Sequence, residues 1–378
     1  MPLREKTMVE KRVEAVLMVR AGCSVSEVAR RWEVSRPTLY EWLRRYDAGE
    51  ELADRSRAPH HCPHRTEPAI EERLLEERAR WKFGAKKILT RLREEEPWIA
   101  WPSRATADAL YSRAGMVRRR RRQKGPHLPI TKPRYQPQAA GDLTTVDYKG
   151  QFRLRNGKYC YPLTVVDAFS RYLIACEALP AIELASTWAV LRRVFREHGL
   201  PRAMQSDNGV PFGAHGNGRF STLSVRLMRL GVEPIFSRPG KPQDNGAHER
   251  MHRTLKEHLV DPAKTLAQQQ LRFDEFRGMF NHERPHEGID MQRPARLYRP
   301  STRRQFPEKL PELEYDAHFE TRSVQSNGMI RWRNQLIFVG RPFAGQRLGF
   351  EAIDYSLWNV HFAAFVVGVL DEERGEVL

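Results

Sequence analysis

Two proline-rich interruptions decide how this chain can be built. The first is DRSRAPHHCPHRTEP, residues 54–68, and the second is residues 125–140, with Pro126, Pro129, Pro133 and Pro137. Proline removes a backbone donor and fixes φ, so neither helix nor sheet runs through such stretches. At 378 residues the chain is also too long for one ordinary core. Hydrophobic spacing differs on either side of the second break, being helical before it and mixed after it. A multidomain chain is therefore expected. All-α units are expected over residues 1–58 and 66–124, an α/β region over 138–300, and an all-β region of alternating strand patterns over 315–378.

In the first unit Val9, Val13, Val16 and Leu17 follow helical spacing up to Ala21-Gly22. A second helix opens at SVSEVARRWEV, where Ser24 and Glu27 make a capping-box pattern and Val28, Ala29 and Trp32 form the stripe. The third, SRPTLYEWLRRY, has Ser35 as N-cap, Pro37 in the first turn, and Leu39 and Leu43 facing inward. Short helix, tight turn and basic helix make a helix-turn-helix pattern, whose last helix reads base edges in the major groove. Arg36, Thr38, Tyr40 and Arg44 are the candidate DNA contacts. A plain three-helix bundle with solvated arginines is the alternative.

TEPAIEERLLEERARW, GAKKILTRLREEEP and PSRATADALYSRAG predict a second helix-turn-helix, with Ser103 as N-cap and Gly115 as stop. It ends in Arg118, Arg119, Arg120, Arg121 and Arg122, followed by Lys124. So dense a run suits phosphate backbones better than a fold of its own. The net charge of +17 makes a polyanion the expected partner, and most of it lies in the first 140 residues. The four cysteines form no CxxC pair, so neither a disulfide framework nor a zinc ribbon is expected. His60, His61, Cys62 and His64 lack the two separated pairs of a structural zinc site. FAAFVVGVL is too short to span a membrane, and MPLREKTMVEKR leads into no apolar signal core. A cytoplasmic, nucleoid-associated protein is the expectation.

Beyond the second break, DLTTVDYKGQF, KYCYPLTVVDAF and RYLIACEALP predict three strands, with a turn at Asn156-Gly157. Helix, strand, helix, strand and helix follow. Asp147 lies in the first strand, Asp207 at the end of the short strand PRAMQSD, and Glu249 on the helix AHERMHRTLKEHLV. Met251, Leu255 and Leu259 form that helix's buried stripe, leaving Glu249 on another face near Arg253 and Lys256. Carboxylates from separate segments can converge on divalent ions. Asp167 reads as a turn or supporting residue, and Asp244 as an N-cap for the Glu249 helix. His248 and His252 read as surface or DNA-facing side chains. In the tail, Asn327-Gly328 and Arg333-Asn334 predict hairpins, and Arg331, Trp332, Arg333 and Arg341 are either DNA contacts or packing residues.

DLTTVDYKGQF, SDNG and PQDNGAHER together resemble the DDE family of insertion-sequence transposases and retroviral integrases over residues 138–300, and NHERPHEGID resembles the segment that closes their core. The resemblance implies a ribonuclease H-like fold, a small all-β barrel over 315–378 behind it, and an Asp147, Asp207 and Glu249 triad that is both catalytic and metal-binding. It also implies two Mg2+ ions, with Mn2+ as a substitute, and a homo-oligomer working on element ends and target DNA. Hydrolysis would free a 3′ hydroxyl at each inverted-repeat end, and strand transfer would follow. The interval from Asp207 to Glu249 exceeds the family's usual spacing, with the surplus placed in the glycine-rich VPFGAHGNGRF. A catalytically inactive DNA-binding regulator and a nuclease without end recognition are the rival readings.

Overall fold

The computed structural model describes residues 7–55, 65–117, 135–213, 220–238, 242–259, 261–301 and 304–378. Arg118 to Arg122, Lys124, the His60 to His64 cluster and most of the glycine-rich loop lie outside them. The chain divides into two compact units, Met1–Glu67 and Pro68–Leu378.

The first unit holds α1 (Met8–Arg20), α2 (Val25–Arg31) and α3 (Arg36–Asp47). Ser24 and Ser35 cap α2 and α3, accepting from the amides of Glu27 and Thr38 at 3.3 Å each. Ala15, Val28, Ala29 and Leu39 form the core. Leu17, expected in it, is 49 % exposed, because the helix turns its Ala15-Val16 edge inward instead.

The second unit opens with α4 (Pro68–Trp81), α5 (Ala85–Glu95) and α6 (Arg104–Arg113), packed through Leu74, Ile88, Leu92 and Tyr111. Ser103 caps α6, and Gly115 ends it at φ +69°, a backbone region that favours glycine.

A mixed sheet follows. Its first expected strand is split at Lys149-Gly150 into β1 (Leu143–Tyr148) and β2 (Phe152–Arg153), and then come β3 (Tyr159–Asp167) and β4 (Leu173–Leu179). β3 is antiparallel to β1, β2 and β4. α7 (Leu184–His198) leads to β5 (Ala203–Ser206), which lies parallel to β1, and α8 (Thr222–Arg229) leads to β6 (Glu233–Phe236), parallel to β5. The main strand order is β4-β3-β1-β5-β6. α9 (Gly246–His258), α10 (Leu266–Gly278) and the short α11 (Pro294–Leu297) complete this part. Met251, Leu255, Phe273 and Phe276 pack α9 and α10 onto one sheet face, while Val190, Leu191, Leu223 and Leu227 bury α7 and α8 in the other main cluster. In the closing segment, Asn281 accepts from the Leu173 amide and donates to the Leu173 carbonyl, at 2.8 and 2.9 Å.

The tail is all-β as expected, but as an open sheet. β7 (Glu320–Ser323), β10 (Arg347–Ala352), β11 (Leu357–Phe362), β12 (Phe365–Asp371) and β13 (Glu376–Val377) form an open five-stranded antiparallel sheet, accompanied by the hairpin of β8 (Met329–Trp332) and β9 (Gln335–Phe338). Among the described residues it does not close into a barrel. Its apolar face is covered in part by Val225 and Met228 of α8, so burial is achieved without closure. Trp332 is buried at the centre of this cluster, a packing role, while Arg333 is exposed and pairs with Glu372.

Candidate active site

β1 places Asp147 near its end, on the same strand face as Leu143 and Thr145. β5 pairs with β1 in register at Thr145 and Gln205, so Asp207, just past β5, projects beside Asp147. The turn after Asp207 is tight: the Gly209 amide donates to Asp207 Oδ1 at 3.2 Å, and the Asn208 side chain donates to the Ser237 carbonyl at 2.9 Å. Glu249 stands exposed in the first turn of α9.

Asp147 registers all three charges. Burial, then the Asp207 carboxylate, then that of Glu249 push its carboxyl up to about 7. Like charges held this close in a half-buried setting disfavour each other unless a cation compensates them. An oxygen-rich set of this kind suits a hard divalent ion such as Mg2+. Lys149 and Lys256 supply positive charge at the rim. The Lys149 ammonium is held below its usual range by burial first and by Lys256 second, which places both lysines at one locus.

Below the carboxylates lies a polar network that the sequence did not suggest. His248 and His252, expected at the surface, are 1 % and 9 % exposed. Four residues apart on α9, they face the sheet, where Thr145 and Thr164 offer hydroxyls in place of apolar side chains. His248 meets Thr145 Oγ1 through Nδ1 and Thr164 Oγ1 through Nε2, each at 2.7 Å, and His252 Nε2 meets the same Thr164 oxygen at 2.7 Å. Thr164 donates to the Asp147 carbonyl at 3.0 Å. With its proton spent there, Thr164 Oγ1 accepts from both imidazoles, so each carries its proton on Nε2. His252 Nδ1 is then a bare acceptor 3.9 Å from Asp147 Oδ2, beside the Asn245 amide at 3.5 Å. Asp147, His248 and His252 also form a group that could hold a metal, although both His248 nitrogens are already engaged. Burial keeps both histidines neutral, lowering His252 to about 4.

The other expected residues are placed as follows. Arg253 and Lys256 are exposed on α9. Arg36, Thr38, Tyr40 and Arg44 are exposed on α3, where Arg44 pairs with Glu41 and Thr38 bonds Ser35. Asp167 is a turn residue, accepting from Gly141 and from the amide and hydroxyl of Ser170. Asp244 does not cap α9. It sits in the preceding turn paired with Arg238 at 2.6 Å, because the chain enters α9 through Asn245-Gly246. The missed residues are Lys149, Asn245 and the histidine-threonine set. The one available signal was the pairing of polar faces, threonine at alternate strand positions against histidine at i and i+4.

Comparison with known proteins adds an independent line. Two integrase core domain models match residues 137–242 and 230–294, and a winged helix-turn helix model matches residues 12–72. The chain is 25 % identical over 188 residues to the insertion element IS407 uncharacterized 31.7 kDa protein of Burkholderia multivorans, covering 49 % of this chain and 65 % of that one. It is 27 % identical over 233 residues to the insertion element IS476 uncharacterized 39.2 kDa protein of Xanthomonas euvesicatoria, covering 61 % and 64 %. A Gag-Pol polyprotein of Koala retrovirus matches at 30 % over 123 residues, 32 % of this chain and 7 % of the polyprotein. The chain thus spans less than two thirds of each of these relatives. Among solved structures, the HTLV-2 integrase catalytic core domain in complex with magnesium aligns at TM-score 0.34 and 12 % identity, covering 43 % of this chain and 100 % of that one.

The mixed sheet with its flanking helices is the part of the chain that the integrase core domain models match. A helix-turn-helix precedes it. The chain is thus similar to integrase core domains and to proteins of bacterial insertion elements.

Proposed function

We propose that this protein is a DNA transposase that binds the inverted-repeat ends of a mobile element, frees a 3′ end at each, and joins those ends to target DNA. What supports this reading is that β1 and β5 pair in register at Thr145 and Gln205, which sets Asp147 and Asp207 two residues further along the two strands, while Glu249 stands exposed on the first turn of α9 and its charge, like that of Asp207, bears on Asp147. These three side chains would hold two Mg2+ ions, or Mn2+ in their place. When bound, such ions activate an attacking oxygen and stabilise a leaving one. The protein's own residues do the rest. Asn245 and Thr164 hold Asp147 in place through its carboxylate and its backbone carbonyl, Lys149 and Lys256 draw the phosphate in, and Arg253 extends the cationic rim.

Arg36, Thr38, Tyr40 and Arg44 on α3 would read base edges, and the run from Arg118 to Arg122 with Lys124 would track phosphates. Two ends must be held at once, so the working form is a homo-oligomer on DNA. The test is strand transfer in vitro with a labelled terminal repeat. Asp207→Asn removes charge while keeping size, so binding persists and joining falls by at least about a hundredfold, on the order of 3 kcal/mol. Joining at the wild-type rate in Asp207→Asn would end the triad assignment, and no joining by the wild-type protein would favour a regulator.

A further inference from the structure

A cavity of about 1120 Å³ opens between α5, the turn after β3, the start of α9 and the segment after α10, and Thr145, Gln205, His248 and Arg250, each one or two residues from a carboxylate, line it. Lys87, Arg171, Arg250 and Arg284 line it. They come from four different places in the chain, and each lowers or is lowered by another, so their charges share one space. Lys87, Arg171 and Arg250 form no side-chain hydrogen bond or ion pair with any described residue. Arg284 has only a 3.4 Å contact to Thr254 Oγ1 and the Phe83 ring face. Facing acids are fewer: Glu287 and Asp290 line the cavity, and Asp244 is already paired with Arg238. Lys87, Arg171 and Arg284 are half-buried and Arg250 is exposed; half-buried cations without a close partner carry a desolvation cost that an anionic ligand would offset.

Size and surroundings narrow the ligand. At about 1120 Å³ the cavity has the volume of a large small-ligand pocket. Half-buried Tyr135 and Phe169 and the buried Phe280 are among the residues that line it. Charged groups interleaved with aromatic rings are the recognition pattern for unpaired strands. Thr145 lines the cavity and Asp147 lies two residues further along the same strand face, roughly 7 Å away at the rise of a β-strand. That is about the reach of one nucleotide.

We propose that this cavity receives an unpaired stretch of DNA strand leaving the carboxylate site, its phosphates held by Lys87, Arg171, Arg250 and Arg284 and its bases by the aromatic wall. The proposal rests on the reading of the chain as a DNA-processing enzyme, but its readout is binding alone. Frayed or single-stranded ends are then bound by the core itself, apart from α3.

The test uses the full chain and the double variant Lys87→Gln, Arg171→Asn. Asparagine suits position 171, where φ is +64°. Fluorescence anisotropy compares a labelled short oligothymidine with a blunt duplex of random sequence. The expected result is at least about a tenfold loss for oligothymidine, a salt slope lower by about 2, and duplex affinity within about twofold. Lys87→Arg should restore oligothymidine binding in an Arg171 background. Asp207→Asn should keep it, whether or not the core cleaves DNA. Unchanged oligothymidine affinity, or equal loss on duplex, overturns the proposal. Full displacement of oligothymidine by inorganic phosphate at low millimolar concentration would reassign the cavity to a free anion.

Discussion

Thr164 shows how one small residue organises a site. Its hydroxyl serves the Asp147 carbonyl and both imidazoles of α9, so three polar groups in a buried layer depend on one oxygen. Replacement by valine keeps the shape and strands those partners, at a cost of about 2–4 kcal/mol for more than one orphaned buried group. Thr164→Val should therefore lower the urea midpoint while leaving the slope unchanged, and a wild-type midpoint would mean that the network has another acceptor. Lys87 gives a pH prediction. Burial first, then Arg284 and Arg250, bring its ammonium from 10.5 down to about 8, while Glu287 and Glu257 pull the other way. Between about 8 and 10.5 the unfolded chain binds the extra proton, so this residue makes stability rise with pH across that window. Unfolding free energies measured at the two ends of the window should show a smaller rise in Lys87→Met than in wild type.

At the scale of elements, glycine positions mark where segments cross. Gly199 ends α7 at φ +79°, and a Cβ there would lie 2.3 Å from the Ser301 carbonyl oxygen, in the strap that returns from α11. Ser301 and Arg304 clamp the same corner through bonds from the Ser301 amide to the His198 carbonyl and from the Leu200 amide to the Arg304 carbonyl. Gly199→Ala should cost on the order of 2–4 kcal/mol, combining backbone strain with displacement of the strap. A thermal shift below 2 °C would show that the strap moves freely. The elements themselves were largely legible. Ser24, Ser35 and Ser103 announce helix starts, the split of apolar spacing announces the sheet, and PQDNGAHER announces α9. What escaped was any feature made by two distant segments. Neither the burial of His248 and His252 nor the meeting of Lys87 with Arg171 and Arg284 can be read from one local pattern, because each depends on which face another element presents. Closure of the tail failed for the same reason: alternation predicts strands, but not that α8 covers them.

For the molecule as a whole, α8 removes the boundary that the sequence suggests between core and tail. Leu223 and Leu227 pack with Val146, Val190 and Leu191, while Val225 and Met228 of the same helix pack with Trp332, Leu348, Phe350 and Val360. One helix thus belongs to both hydrophobic clusters, and melting either one strips a face from it. The tail sheet should therefore share the cooperative transition of β1, β3 and α7. Trp332→Ala, which empties the centre of the tail cluster, should cost about 3–5 kcal/mol. Hydrogen exchange read peptide by peptide separates the cases. If the clusters are coupled, amides of β1 and β3 lose protection by the same free energy as those of β10 and β11, while α1 to α3, in the other compact unit, keep theirs. Loss confined to β7–β13, with β1 and β3 unmoved, would mean that α8 can release the tail without disturbing the carboxylate site, and the tail would then be an independent module.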